Sequence, residues 1–273
     1  MLPLCDDHIA IIEKAQFGWP LSDRQLCIKA GITQEALAAL RTGAVDQGTL
    51  LRVAEALGLG GQALLRIATN AWYPQVESPM NGFHVLISRF GNRIVNTYLL
   101  WDPQTLDGFV FDLGCPLQVL TEIIRRYNIG VRAAFLTHGH ADHAGDVMAA
   151  KAALGVPVFI SDFEPLLETE TFIPLQDWQV GPIIANSRHV PGHSAGSTIY
   201  KIDGMDRPMA IVGDALVAGS VGRGNISHRD NLESIRREIF SLPDETVLCP
   251  GHGPLTTVGQ EKLNNPFFPD LNG

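Results

Sequence analysis

The sequence predicts an α/β chain in two parts. A small all-α helical domain spans residues 1–70, and a four-layer α/β/β/α sandwich spans residues 82–273, with a linker at 71–81 between them. Three observations carry this. Apolar residues recur at helical spacing in Leu21 to Ala30, Ala36 to Leu40 and Leu50 to Leu57. Beyond the linker, short apolar strands fall in two blocks, each followed by a helix, which suits two packed sheets with helices outside them. The stretch His138-Gly139-His140-Ala141-Asp142-His143 puts three imidazoles and a carboxylate where a strand gives way to a helix.

Length and composition fit this division. At 273 residues the chain is long for one domain and comfortable for two. A hydrophobic content of 45% with 18% charged residues is that of a soluble globular protein. No apolar run approaches a membrane span. The start, Met1-Leu2-Pro3-Leu4-Cys5-Asp6-Asp7, lacks a basic region and an apolar signal core, so a cytoplasmic protein is expected. The net charge of −9 argues against a nucleic-acid coat or a membrane-surface binder. Cys5, Cys27, Cys115 and Cys249 have no metal-type spacing and are expected as reduced thiols, Cys115 as a plain loop residue.

Taken in order, Ser22 and Thr33 are expected N-caps; Thr33 has Ala36 three residues on, so it forms no full capping box. Trp72, Tyr73, Pro74 and Pro79 mark the linker. Phe83 to Phe90 and Arg93 to Trp101 flank Gly91-Asn92, a hairpin signal. Phe109 to Asp112 is a strand, Pro116 to Tyr127 an amphipathic helix, and Val131 to Leu136 the strand that feeds the histidine cluster. Ala144 to Leu154 is expected as one helix and Val156 to Ile160 as a strand. Asp162 to Pro182 reads as a long irregular stretch that lines a substrate site. Strands at Ile183 to Val190, Ser197 to Ile202 and Met209 to Val212, a helix from Asn231 to Leu242 and a strand from Thr246 to Cys249 complete the chain.

The cluster is a ligand set by its chemistry. Neutral imidazole and carboxylate bind Zn²⁺ or Fe²⁺ well. Grouping four of them without a cation or many hydrogen bonds would cost stability by desolvation. Three more residues of ligand type follow in similar settings. His193 lies in Pro191-Gly192-His193-Ser194, Asp214 ends the run Met209 to Gly213, and His252 lies in Pro250-Gly251-His252-Gly253. Each is expected at the C-terminal end of a strand beside a glycine, which allows close backbone approach.

His138-x-His140-x-Asp142-His143, then His193, Asp214 and His252, resembles the metallo-β-lactamase superfamily, and within it the glyoxalase II-like hydrolases. Asn96-Thr97-Tyr98-Leu99, Phe111-Asp112-Leu113-Gly114, Ala218 to Arg223 and Pro250 to Gly259 agree, and the resemblance covers about residues 80 to 268. It implies that His138, His140 and His193 bind one metal, that Asp142, His143 and His252 bind a second, and that Asp214 bridges them. The expected cofactors are two divalent ions, zinc first, with iron or manganese as alternatives. Two such ions about 3.5–4 Å apart can share a hydroxide that attacks an acyl carbonyl at neutral pH. Asp142 is a ligand and a candidate catalytic proton acceptor. The resemblance also places the loop after Asp214 at the substrate, which nominates Arg223, Asn225 and His228. His8 is expected at the surface, His84 as a structural histidine and His189 away from the metals.

The expected substrate is a small-molecule acyl ester, a thioester above all. Full-length glyoxalases carry a C-terminal helical domain for glutathione, and this sequence runs only a few residues past Phe268, so that domain is expected to be absent. Gly224-Asn225 also stands where relatives carry Thr-Asp. Alternatives on the same fold are a lactonase and a persulfide dioxygenase with one iron at positions matching His138, His193 and Asp214.

Leu21 to Leu37 resembles the helix-turn-helix of phage-repressor-like regulators, and Leu50 to Leu59 the helix that follows it. That would allow a DNA-binding regulator with a ligand-sensing hydrolase-like domain. Yet residues 1–70 hold six basic and seven acidic side chains, whereas a DNA reader shows a basic face. A dimerising or lid role for these helices, as in a homodimer built through them, is the expectation.

Overall fold

The structure is a computed structural model and describes residues 2–77 and 80–271; Met1 and Pro79, named above, lie outside the described residues. Five helices come first: α1 (His8–Gly18), α2 (Asp23–Ala30), α3 (Gln34–Arg41), α4 (Gln47–Leu57) and α5 (Gly61–Ala68). Ser22 and Thr33 do cap α2 and α3, accepting hydrogen bonds from Gln25 N and Ala36 N. Ser22 also forms a full capping box with Gln25, a pairing the sequence held but which was not expected. Gly31, at φ 62°, closes α2 in the left-handed region and turns the chain into α3.

The hairpin β1 (Phe83–Phe90) and β2 (Arg93–Trp101) forms in register around Gly91-Asn92, with Phe90 opposite Arg93. After β3 (Asp107–Phe111) come α6 (Leu117–Tyr127) and β4 (Gly130–Phe135). The single helix expected over Ala144 to Leu154 is two, α7 (Ala141–Ala144) and α8 (Val147–Leu154). Gly145, at φ 58° and ψ −144°, breaks it, and Asp146 caps the second piece through Ala149 N. β5 (Val158–Ser161) follows. The stretch expected to be irregular contains two edge strands, β6 (Glu170–Phe172) and β7 (Asp177–Val180). Strands this short carry too little alternation to register as a pattern.

The second half holds β8 (Ile183–His189), β9 (Thr198–Asp203), β10 (Met209–Gly213), the small hairpin β11 (Leu216–Val217) and β12 (Ser220–Val221), α9 (His228–Glu238), β13 (Val247–Pro250), β14 (Thr256–Thr257) and α10 (Val258–Asn264). Two six-stranded sheets result, ordered β1-β2-β3-β4-β5-β6 and β14-β13-β10-β9-β8-β7. Each is mixed: β3, β4, β5 and β6 pair in parallel, as do β10 and β13, and the other pairs are antiparallel.

Between the sheets lies an aromatic core. Phe111, Phe135 and Tyr200 are fully buried and in mutual ring contact at 5.2–5.4 Å. The outer face of the first sheet is covered by α6 and α8 through Leu120 and Ala150. The outer face of the second is covered by α9 and α10 and by the N-terminal helices: Ile11, Leu26, Leu50 and Leu64 share one apolar cluster with Ile199, Val212 and Leu248 of the sheet. The helical segment is thus bonded to the sandwich by a common core, the strongest non-directional force available to it. Arg66 adds a polar tie, donating to Asn264 Oδ1 and Leu263 O, and within the sandwich the buried Glu261 carboxylate accepts from Gly219 N, Thr256 Oγ1 and Asn265 Nδ2. No helix among the described residues is long and apolar enough to cross a membrane.

Candidate metal centre

Each expected ligand sits just past a strand end, on one rim of the two sheets. His138 follows β4, and His140 N-caps the short helix α7, which carries Asp142 and His143. His193 lies between β8 and β9, Asp214 directly follows β10, and His252 follows β13. Backbone must come unusually close to hold them there. Gly192 has φ 134°, and a Cβ on it would fall 2.4 Å from Asn231 N. A Cβ on Gly251 would fall 2.4 Å from both Asp214 Oδ1 and the His143 ring. Only glycine fits at either place.

The side chains converge. His140 Nδ1 lies 2.9 Å from His138 Nε2 and 3.1 Å from His193 Nε2. On the other side, His252 Nε2 lies 3.3 Å from His143 Nε2 and 3.6 Å from Asp142 Oδ2. Asp214 stands between the two groups: Oδ1 is 3.4 Å from His143 Nε2, and Oδ2 is 3.5 Å from His193 Nε2 and 3.3 Å from His252 Nε2. His138, His140 and His193 form one compact set of donor atoms, Asp142, His143 and His252 another, and His138, His143 and Asp214 a third that overlaps both.

The opposite ring nitrogens fix which atom faces the centre. His143 Nδ1 donates to Asp112 Oδ2 at 2.9 Å, His193 Nδ1 to Arg223 O at 2.9 Å, and His252 Nδ1 to Ile94 O at 2.6 Å. His138 Nδ1 donates to Thr137 Oγ1 at 3.0 Å, which itself donates to Asp112 Oδ2 at 3.0 Å. Four rings therefore turn Nε2 inward, and in the neutral ring that nitrogen carries the lone pair a cation needs. The donor set fits a metal on a further count. Asp214 Oδ1 is buried with no hydrogen-bond partner among the described residues, and the inward ring nitrogens crowd within 2.9–3.3 Å of one another, as donors around an ion would.

Charge inside the cluster is divided unevenly. Burial would raise the Asp214 carboxyl, but His143 and His252 hold it well below the usual carboxylate range. Burial would lower His143, but Asp214 and Asp112 carry it well above the ordinary imidazole value. Burial dominates at His138, with His143 adding to it, and keeps that ring well below the ordinary value. His193 is lowered by burial as well.

Two groups hold the ligands in roles that the sequence did not assign, although the turn of the first, Asp112-Leu113-Gly114, was among the stretches that carried the resemblance. Asp112 holds Thr137 and His143 from a backbone at φ 58°. Its signal was a carboxylate ending a buried strand before Leu113-Gly114. Glu164 ties the loop of His138 to that of His193, accepting from Gly139 N at 3.2 Å, Ser194 Oγ at 2.5 Å and Gly196 N at 3.1 Å. It lay in the stretch expected to line a substrate site. That stretch supplies no wall of the cavity described next; it braces the ligand loops instead.

A cavity of about 670 Å³ opens over the donors and reaches His140, His193, Asp214 and His252. Arg223 and Asn225 line it, as do Asn92, Arg93 and Ile94 from the β1–β2 hairpin. His228 does not. It is buried in edge-on contact with Trp19 at 5.2 Å and Phe267 at 5.8 Å, so its expected place at the substrate is corrected to a packing place between α1, α9 and the C-terminal segment. His8 is also buried, contrary to a surface position, because it begins the stripe continued by Ile11, Ile12 and Ala15 on the covered face of α1. His189 stacks on Phe163 and lies 2.9 Å from Ala195 O through Nε2, away from the centre. His84 sits beside Tyr127 in β1. Cys115 is buried, and that burial pushes its thiol up, which suits an inert residue.

Comparison with known proteins agrees with this geometry. The chain is 31% identical over 199 residues to the hydroxyacylglutathione hydrolase GloC of Haemophilus influenzae, covering 63% of this chain and 92% of that protein. Among solved structures it is similar to the BLEG-1 B3 metallo-beta-lactamase, at a TM-score of 0.59 and 28% identity over 68% of this chain and 99% of that one. It is also similar to TTHA1623 in a di-iron-bound form, at a TM-score of 0.53 and 27% identity over 67% of this chain and all of that one. The family profile matches residues 90–252, from the β1–β2 hairpin to the last histidine of the centre, and on that match the chain belongs to the metallo-beta-lactamase superfamily.

Proposed function

We propose that this chain is a metal-dependent hydrolase that cleaves an acyl thioester and holds two divalent cations, zinc by first choice. One observation carries the reading: two groups of donors, joined by Asp214, face the floor of a single cavity. His138, His140 and His193 would hold one ion, and Asp142, His143 and His252 the other, with Asp214 shared. Cations so held would polarise the acyl carbonyl and acidify a water, supplying a nucleophile near neutral pH. The chain's own residues do the rest. Asp112, Thr137, Ile94 O and Arg223 O keep the rings aimed inward. Asp142, with Oδ2 3.3 Å from Arg93 Nη1, would also accept a proton at the edge of the centre. No serine or cysteine nucleophile is required. The hydrolase relative at 31% identity and the di-iron neighbour at 27% support both halves of the reading.

DNA reading by the N-terminal helices forms no part of this proposal. Arg41, the basic residue of α3, is bound by Asp23 through two hydrogen bonds of 2.6 and 2.7 Å and by Gln16 at 2.8 Å. The test is hydrolysis of simple S-acyl thioesters by the zinc-loaded full chain. Turnover that a chelator abolishes and zinc restores is expected. Absence of turnover on every thioester offered, with metal bound, would overturn the substrate class.

A further inference from the structure

The cavity over the metal donors is not enclosed by the sandwich alone. One side is made by the start of the chain: Leu2, Leu4, Cys5 and Asp6 ahead of α1, then Glu13 and Lys14 on it. All of these lie outside the residues the family profile matches. The side is fastened to residues 221–228, the stretch that orients His193. Lys14 Nζ donates to Val221 O at 2.8 Å and pairs with the Asp6 carboxylate. Gly18 packs so closely on His228 that a Cβ there would fall 2.2 Å from its ring. Between these two contacts, the guanidinium of Arg223 lies over the ring of Phe17, with Cζ 3.8 Å from the ring centre.

Arg223 therefore has two separate holds. Its carbonyl accepts from the ligand His193, and its side chain is stacked on the N-terminal helix at the cavity wall. The pairing of charges along that wall leaves one guanidinium open to an anion. Lys14 is paired with Asp6 and Arg93 with Asp142, which leaves Arg223 as the cation of that wall with no ion pair among the described residues. A planar guanidinium matches a carboxylate with two parallel hydrogen bonds. An arginine already ordered on an aromatic face loses less freedom on binding than a free one.

We propose that Phe17 is a positioning residue for Arg223, and that Arg223 so held binds a carboxylate carried by the thioester substrate. The N-terminal helix is then part of the substrate site. This rests on the hydrolase reading above, and the experiment separates the two.

The full zinc-loaded chain is offered a matched pair, S-acetyl-3-mercaptopropionate and its carboxamide. Binding of the two corresponding thioethers, which cannot be cleaved, is measured by calorimetry. Wild type is expected to prefer the carboxylate by about tenfold, the scale of one charge-assisted hydrogen-bonded contact. Arg223→Gln removes the preference. Phe17→Ala reduces it about threefold, the scale of an exposed cation–π contact, through KM for the carboxylate substrate more than kcat, and Phe17→Tyr restores it. Equal preference in wild type and Phe17→Ala, or equal losses on both substrates, would overturn the proposal. Thioether preference with no turnover of any thioester would overturn the hydrolase reading and keep only the carboxylate contact of Arg223 and its hold on Phe17; turnover without preference would keep the hydrolase reading and overturn the proposal.

Discussion

The metal centre and the N-terminal wall meet in the same cavity but are built on different terms. At the centre, His138, His143, His193 and His252 are all buried, and each has its outer ring nitrogen within hydrogen-bond reach of a fixed partner. At the wall, Arg223 is exposed and rests on a ring, Phe17, that is itself 46% exposed. Grouped polar side chains in a low-dielectric site carry a penalty for each unmade bond, so every one needs its own scaffold contact. Recognition at a solvent-facing wall tolerates looser tethering, because water meets whatever the protein leaves unpaired. On the proposed reading, chemistry is fixed by the sandwich, and selection is shared with a helix docked on it.

That contrast can be broken from either side. The largest effect falls on the centre's shared carboxylate. Asp214→Asn removes the charge common to both donor groups, and the zinc-loaded chain should lose metal affinity by about a hundredfold or more, beyond what removing an outer partner costs. Competition with a chromophoric chelator measures it. Asp112→Ala leaves every ligand in place but frees Thr137 and the His143 ring. A loss of about 10–100-fold in metal affinity is expected, with the fold unchanged by circular dichroism. Undiminished affinity there would show that the outer hydrogen bonds do not set the centre.

Two changes sharpen the other side. Glu261 holds the Gly219 turn, which faces Ile67 and Trp72 of the N-terminal part. Burial pushes its carboxyl up to about 7 from an ordinary value of 4.5. Since the folded state favours the neutral form, its stabilising contribution is complete below the ordinary value and is lost as pH rises through about 7. Glu261→Gln should therefore gain on wild type between pH 5 and pH 8 by up to about 3 kcal/mol in denaturant unfolding. A constant difference across that range would contradict the assignment. The smallest effect is at the helix contact. Gly18→Ala pushes a methyl into His228 and should cost about 1–3 kcal/mol of stability. A Tm unchanged by Gly18→Ala would mean that α1 is not packed on α9 as described.

The centre was legible because its residues are chemically conspicuous and stand at strand ends. Seven residues of ligand type, five of them beside a glycine, are hard to mistake for a surface loop, and all seven converge. The hairpin at Gly91-Asn92 was legible for a similar local reason, a two-residue turn between alternating strands. What escaped was long-range. Glu164 stands in a stretch with no pattern and matters only because folding brings Gly139 and Gly196 to it. His228 looked like a substrate residue from its place after Asp214, yet Trp19 and Phe267, more than 200 and nearly 40 positions away in the chain, claim its ring. The contact of Phe17 with Arg223 could not be read at all, since an exposed aromatic near the end of a helix has no partner until the helix docks.

The account stands on two cations in one cluster. Elemental analysis of the full chain, purified after zinc loading and desalting, tests this directly. Two zinc ions per chain, falling toward one in His252→Ala with the protein still folded, is the predicted result. One ion per chain in the wild type, unchanged by loss of His252, would contradict it.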